Sequence, residues 1–348
     1  MLDQGLRELE AEKEGPMLEF VTAPGDCKDP ALAALLDQEE LAGQVELFFR
    51  SHWNLASVQA FQARVLRLHS GKRCTLEITV KDGNTLHHLI GKTYTKPRHD
   101  ICEYLRELWR AGFDRNSKFS TPQAFAYVPS LRLLLQEKIH GLSVREVFLG
   151  TDWDKQIEAA QRSALWLAYF HDLAPRRGQV VTPDVLSVLL EKWAGRLATL
   201  DRPLALKSTK LFRRLAAELP KLDTTEHLAG HSSYSPDHVL LADDRTAVID
   251  WDTYDQADPA RDLGRFIVTT ERLALGHLRS IRALDPLAEV FLETYVAKRG
   301  AEALPRLPFY RATMCLKLAK HCAFSPRVRR SAKKVAAMLD EGIRVLGS

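Results

Sequence analysis

Gly230-His231-Ser232-Ser233-Tyr234-Ser235-Pro236-Asp237-His238-Val239-Leu240-Leu241, followed downstream by Val248-Ile249-Asp250-Trp251-Asp252, is the stretch on which the reading of this chain turns. A polar loop runs into two short apolar segments, 239–241 and 247–249, separated by an Asp-Asp-Arg turn. That pattern predicts a β-hairpin. Its returning strand ends in acids. Asp250 and Asp252 lie two apart, so a continuing strand turns both to one side and Trp251 to the other. Paired carboxylate oxygens at a strand end suit a hard cation such as Mg²⁺. The same residues also fit an ordinary hairpin with a polar turn.

Around the hairpin, the pattern from residue 141 almost to the end is helical. N-terminal to it the period changes. Arg64-Val65-Leu66-Arg67-Leu68, the alternating residues 75–80 and His88-Leu89-Ile90-Gly91-Lys92-Thr93-Tyr94 predict three antiparallel strands within 62–96. Ser70-Gly71-Lys72 and Asp82-Gly83-Asn84 are their turns. Residues 100–112 predict a helix, with Ile101, Leu105, Leu108 and Trp109 on one face and Gly112 at its end. Two more strand-like runs flank Pro129-Ser130. Earlier still, Pro24-Gly25-Asp26 reads as a turn, and Asp29-Pro30 opens a helical pattern that carries on towards Trp53. The chain therefore divides into an N-terminal extension and helix (1–55), a sheet (56–140) and a helical part that holds the hairpin (141–348). This is an α+β, two-lobe pattern.

Composition narrows the class. The chain has 348 residues, 45% apolar and 27% charged, which excludes a mainly disordered, collagen-like or small disulfide-built protein. Lys and Arg exceed Asp and Glu by 49 − 45 = 4, too mild a balance to argue for a nucleic-acid partner. The five cysteines form no C-x-x-C pair and read as buried thiols. No apolar run approaches the length of a spanning helix, so no membrane partner is expected and the expected location is cytoplasmic.

The order of the pieces resembles the aminoglycoside phosphotransferase and choline kinase family, a branch of the protein-kinase-like fold. That family carries a loop of the form H-x-D-x-x-x-x-N and then a strand ending I-D-[FW]. Here the loop reads HSSYSPDHVLL and the strand VIDWD. Asp258-Pro259-Ala260-Arg261-Asp262-Leu263-Gly264 is similar to the family's next segment, and residues 164–173 to its L-A-x-L-H helix. Residues 133–141 resemble its lobe-connecting hinge. Lys72-Arg73-Cys74 and Gly91-Lys92-Thr93-Tyr94 match its first strands. The resemblance spans about residues 60–310.

It implies ATP, or another nucleotide, and Mg²⁺ as cofactors, and a hydroxyl on a small molecule as acceptor. Lys92 then contacts the nucleotide phosphates. Its carboxylate partner is Glu103 or Glu107, one helical turn apart. The backbones of Glu137 and Ile139 face the adenine, and His69-Ser70-Gly71-Lys72-Arg73 covers the phosphates. Asp250 is the metal ligand, His231 holds the loop and Asp262 braces it. Two positions depart from the family. Its base aspartate falls on Ser233, which is no anion at neutral pH. Its second metal ligand falls on His238, a nitrogen donor where Mg²⁺ prefers oxygen; Asp237 is a nearby oxygen. Two readings follow: an ATP-dependent small-molecule phosphotransferase, or a catalytically impaired, nucleotide-binding pseudokinase with a regulatory or scaffold role.

From Met314 to Leu339 the chain holds no acid but carries Lys317, Lys320, Arg327, Arg329, Arg330, Lys333 and Lys334. If that run lines the acceptor site, the acceptor is anionic or neutral rather than polycationic. Expression in a sensitive bacterium is accordingly expected to leave the inhibitory concentrations of aminoglycosides unchanged. A clear rise for any of them would contradict this charge argument.

Overall fold

Alternating apolar residues dictate the first sheet. In the computed structural model, described over residues 17–20, 43, 47, 60–69, 73–82, 85–222, 226–325 and 331–347, β2 (Ala60–His69), β3 (Arg73–Asp82) and β4 (Thr85–Tyr94) run antiparallel. Their alternate residues Ala63, Cys74, Leu76, Ile78, Val80 and Leu89 form a buried cluster with Leu133 and Leu135. β1 (Met17–Phe20) pairs parallel with β2. β7 (Leu133–Glu137) pairs with β4, and β6 (Ala124–Val128) with β7, both antiparallel. The sheet order is β1-β2-β3-β4-β7-β6. The expected turns at 24–26, 70–72 and 83–84, the charged segment 1–16, nearly all of the helical pattern at 29–53, Cys27, Arg327, Arg329 and Arg330 lie outside the described residues.

The helix expected over 100–112 is α1 (His99–Arg110). Ile101, Leu105 and Leu108 are buried on its inner face, joined by Cys102 and Tyr104. Arg106 donates from Nη2 to the Phe125 carbonyl, tying the helix to β6 (2.9 Å). Gly112, with φ +100°, ends the segment in a conformation that other residues rarely adopt.

The chain forms two compact units: the residues up to Trp109 with Pro122–Ile139, and Arg110–Thr121 with His140 onward. In the second, the described helices are α2 (Val144–Phe148), α3 (Trp153–Leu173), α4 (Pro183–Leu197), α5 (Arg202–Glu218), α6 (Ala260–His277), α7 (Asp285–Arg299), α8 (Leu307–Phe324) and α9 (Ala332–Val345). Asp152, Thr182 and Asp201 cap α3, α4 and α5 with side-chain oxygens, and Pro stands in the first turn of the latter two. The predicted hairpin is β10 (Val239–Ala242) and β11 (Arg245–Val248). It is flanked by β5 (Phe119–Ser120) and β8 (Leu142–Ser143).

The core of this unit is aromatic. Trp166 stacks on Phe170 and on Tyr234, with ring centroids 5.2 and 5.7 Å apart, and its Nε1 donates to the Ser120 carbonyl at 3.1 Å. Gly264 lets α6 and α8 cross closely, since a Cβ there would sit 3.0 Å from the backbone of Tyr310 and Arg311. Cys74, Cys102, Cys315 and Cys322 are buried free thiols. No described helix is long and apolar enough to cross a membrane. Trp166→Ala removes both ring stacks and strands the Ser120 carbonyl. It is expected to cost about 3–5 kcal/mol, read as a lowered urea midpoint, with Trp166→Phe recovering part of the loss.

Candidate functional site

The loop begins where β9 (Leu228–Gly230) leaves its pairing with β12 (Asp255–Ala257). Gly230 is required there, because a Cβ would run into the Asp255 carboxylate. Asp262, in the first turn of α6 and 2% exposed, aims back at the loop. Its Oδ2 accepts the His231 N–H at 2.7 Å and its Oδ1 the Ser232 N–H at 2.9 Å. Two successive amides on one carboxylate bend the chain, and Ser232 takes the left-handed region at φ +65°. Burial pushes the Asp262 carboxyl up, but His171, His231 and Arg261 around it bring it below its ordinary value. His171, on α3, has Nε2 3.8 Å from Asp262 and Nδ1 2.7 Å from the Tyr295 hydroxyl.

His231 is fully buried, edge-on to Trp251 at 4.6 Å. Its Nε2 lies 3.1 Å from the Ile249 carbonyl. A carbonyl only accepts, so Nε2 carries the proton and Nδ1 is a bare acceptor. Ser233 Oγ lies 3.1 Å from it and 3.3 Å from the Asp250 carbonyl, two acceptors that share its one hydrogen. Burial pulls the His231 pKa down to about 4, so the ring is neutral near pH 7.

The strand does not continue to Asp252. β11 ends at Val248, and Asp250 turns left-handed at φ +69°. Trp251 folds back and donates from Nε1 to the Val248 carbonyl at 2.9 Å. The expected same-side pair of acids is therefore replaced by a different pair. His238 has Nδ1 2.9 Å from the Ser233 carbonyl, which places its proton on Nδ1. Burial lowers its pKa, so Nε2 is a bare lone pair. It faces Asp250 Oδ2 at 3.4 Å, with 17% and 19% of the two side chains exposed. Two acceptors converging without a proton between them suit a cation. Asp237 does not join them: it is exposed, 3.5 Å from Arg145 Nε. Among the described residues no three His, Cys, Asp or Glu gather in a metal-holding group. A cation held by one carboxylate and one imidazole has most of its sphere left for water and ligand oxygens, as Mg²⁺ sites commonly do.

In the other unit, Lys92 is 7% exposed on β4, opposite Thr75 on β3 and Leu134 on β7. Glu103 is turned to solvent, its side chain 62% exposed and 3.6 Å from His99 Nδ1. Glu107, one turn on, is half-buried. The Glu137 N–H donates to the Gln123 carbonyl at 2.8 Å, and its Oε2 accepts the Gln123 N–H at 3.1 Å. Ile139 is buried beyond the end of β7.

Arg261 has a role that sequence reasoning left unassigned. It pairs with the buried Asp255 and donates to Ser232 Oγ at 3.1 Å, closing the loop from beneath. Also missed were Arg265 and Arg272, which share its side of α6. Their spacing of 4 and 11 residues from Arg261 was the available signal.

A mostly antiparallel sheet unit, then a helical unit with a hairpin whose loop carries His231, His238 and Asp250, defines a two-lobe, protein-kinase-like fold of α+β class. Within that class the chain belongs to the phosphotransferase enzyme family (APH), whose model matches residues 87–307, more than half of its length. Three solved structures show the same fold. One is a provisionally assigned aminoglycoside phosphotransferase of Ralstonia eutropha JMP134 (TM-score 0.60, 16% identity, 88% of this chain and 98% of that one). The second is a choline/ethanolamine kinase family protein of Mesorhizobium loti (0.55, 14%, 88% and 99%). The third is a thermostable mutant of aminoglycoside phosphotransferase APH(4)-Ia, in a ternary complex with AMP-PNP and hygromycin B (0.59, 12%, 87% and 98%). At these identities the likeness is one of fold. No curated protein matches the chain.

The buried imidazole makes a stability prediction. The His231 pKa falls from 6.5 unfolded to about 4 folded. Between those values the unfolded chain binds the extra proton. Stability is therefore full above about pH 6.5 and is lost as pH falls towards 4, by on the order of 3 kcal/mol. His231→Gln is expected to flatten this slope in a pH series of thermal melts. Part remains, because burial lowers His171 and His238 in the same direction.

Proposed function

We propose that this chain transfers the terminal phosphoryl group of ATP to a hydroxyl of a small molecule. The observation that carries the reading is the convergence of Asp250 Oδ2 and His238 Nε2 at 3.4 Å on a loop pinned by Asp262. Family membership supports it, as does the APH(4)-Ia complex, which contains a nucleotide analogue.

Residues 56–140 handle the nucleotide and residues 141–348 the metal and acceptor, with 1–55 an extension. Lys92 offsets phosphate charge. Glu107 is the better carboxylate partner, because Glu103 is turned outward beside His99. The Ile139 amide and the Glu137 carbonyl face the base, the Glu137 amide being taken by Gln123. Asp250 and His238 hold the divalent cation, which when bound neutralises phosphate charge. The nitrogen of His238 favours Mn²⁺ relative to Mg²⁺ more than a second oxygen ligand does.

Ser233 stands where the family has a base. It acts as a relay: Oγ takes the acceptor's proton while passing its own to His231 Nδ1. A pKa of about 4 gives that imidazole the basicity of an ordinary aspartate. Phosphoryl transfer depends mainly on positioning and charge neutralisation, so a weak base at one remove is compatible with slow turnover. The second reading is nucleotide binding without turnover, favoured by the missing carboxylate at 233.

Release of γ-phosphate from ATP, with Mg²⁺ or Mn²⁺, separates the two. Wild type is expected to turn over, faster with Mn²⁺, and Ser233→Ala to lose about 10²-fold. Ser233→Asp with His238→Asn supplies a direct base and an oxygen ligand and is expected to gain about 10²-fold or more. Thermal stabilisation by ATP should shrink in Lys92→Ala and lose its metal dependence in Asp250→Ala. Nucleotide binding with no turnover in wild type or double variant would leave the pseudokinase reading.

A further inference from the structure

Strand β3 gives one side to the core and the other to the side of the sheet that carries Lys92. Cys74, Leu76, Ile78 and Val80 belong to the buried cluster. Thr75 stands directly across from Lys92, and Glu77, two residues on, shares its side. Glu77 is only 8% exposed, and both of its carboxylate oxygens are taken. Oε2 accepts from Arg64 Nε of β2 at 3.0 Å, and Oε1 accepts from Lys138 Nζ. Arg64 is the residue across from Glu77 on the neighbouring strand. Lys138 is not a neighbour of that kind. It follows β7, and β4 lies between β3 and β7 in the sheet. The Glu77–Lys138 pair therefore spans two strand spacings, about 10 Å.

Stability alone does not account for such a bridge. A carboxylate loses hydration on burial, an ion pair about repays that loss, and an apolar residue of similar size often serves a fold equally well. What the bridge supplies is placement. The hydrogen bond from Lys138, and the one from Arg64, hold the Glu77 carboxyl below its ordinary value against the effect of burial, so the pair is charged near pH 7. The β4–β7 ladder ends where Leu89 meets Glu137. Glu137 is held from the β6 side, by Gln123, through its amide and its carboxylate. Ile139 is buried. Lys138, between them, is held from the β3 side by Glu77, and among the described residues it pairs with no other acid.

We propose that Glu77 is a positioning residue for the nucleotide base: reaching across β4 to Lys138, it fixes the backbone of residues 137–139 against which the base lies, without touching the nucleotide. The proposal rests on the reading of the Glu137 carbonyl and the Ile139 amide as the groups that meet the base. Lys92 and Glu77 then use one side of the sheet for different parts of one ligand. Lys92 acts on the phosphates and Glu77, through Lys138, on the base, so ligands that carry only one of those parts separate the two roles.

The test uses the full chain with Mn²⁺ present, in titration calorimetry and thermal melts. The probes are ATP, adenosine, which has the base without phosphates, and inorganic tripolyphosphate, which has phosphates without the base. Variants are Glu77→Gln, Lys138→Met, the two together, Lys138→Arg and, as control, Arg64→Gln. Glu77→Gln and Lys138→Met are each expected to bind ATP and adenosine about 10-fold more weakly and tripolyphosphate as wild type does. The double variant should lose no more than either single one, because both remove the same bridge. Lys138→Arg keeps the span and should recover most of the affinity. Arg64→Gln leaves the bridge in place and should bind all three probes as wild type does. A lower ligand-free Tm in Glu77→Gln with unchanged ATP and adenosine affinity makes the bridge a structural one and overturns the proposal. So does an equal loss for ATP and tripolyphosphate, which assigns Glu77 to phosphate charge, and so do additive losses in the double variant, which take Lys138 out of the route. In these three outcomes wild type still binds ATP, and the phosphotransferase reading stands. Binding of neither ATP nor adenosine by wild type overturns both.

Discussion

One carboxylate organises the site. Asp262 accepts the amides of His231 and Ser232 from inside the protein, and most of the loop's other geometry follows from that bend. It fixes where the His231 ring lies, so Nε2 meets the Ile249 carbonyl and Nδ1 is left for Ser233. Through the Ser233 carbonyl it fixes the His238 tautomer, and so the lone pair that faces Asp250. A charge this deep is costly unless its oxygens are satisfied. Asp262 meets that condition with two backbone donors, and its position in the first turn of α6 adds the favourable end of the helix dipole.

The bend would be of little use on a soft foundation. Beneath it runs a continuous aromatic stack: Phe170, Trp166, Tyr234, Phe266 and Phe291 are in contact in sequence. Tyr234 belongs to the loop itself, and its hydroxyl donates to the Ser163 carbonyl on α3 at 2.7 Å. Loop, α3, α6 and α7 are therefore packed through one set of rings. Close packing of this kind holds polar groups in place before any ligand arrives, which is what electrostatic catalysis needs.

Most of the fold was legible because its signals are local. Alternation gives β2, β3 and β4, and the turn between 239–242 and 245–248 gives the hairpin. His231, His238 and Asp250 were legible from the order of motifs, and they do lie together. What failed depends on backbone twist or on helix facing. The period-2 argument for Asp250 and Asp252 assumes an extended chain, and a left-handed Asp250 breaks it. Glu103 and Glu107 are both plausible by spacing, yet only the placed helix reveals that Glu103 points outward.

Helix α6 gives the site its charge asymmetry. At its start Asp262 is negative and turned into the loop, and Arg261 beside it is neutralised by Asp255. Further along, Arg265 and Arg272 are positive, and among the described residues Arg265 Nε and Nη1 and Arg272 Nε have no hydrogen-bond partner. Side-chain charge along α6 therefore changes from negative to positive within about three helical turns, at 5.4 Å per turn. A carboxylate at position 233 would have added negative charge near this reversal; Ser233 does not. The two positions that depart from the family pattern, Ser233 and His238, are coupled through the same bend, because the Ser233 carbonyl lies 2.9 Å from His238 Nδ1 and sets its tautomer.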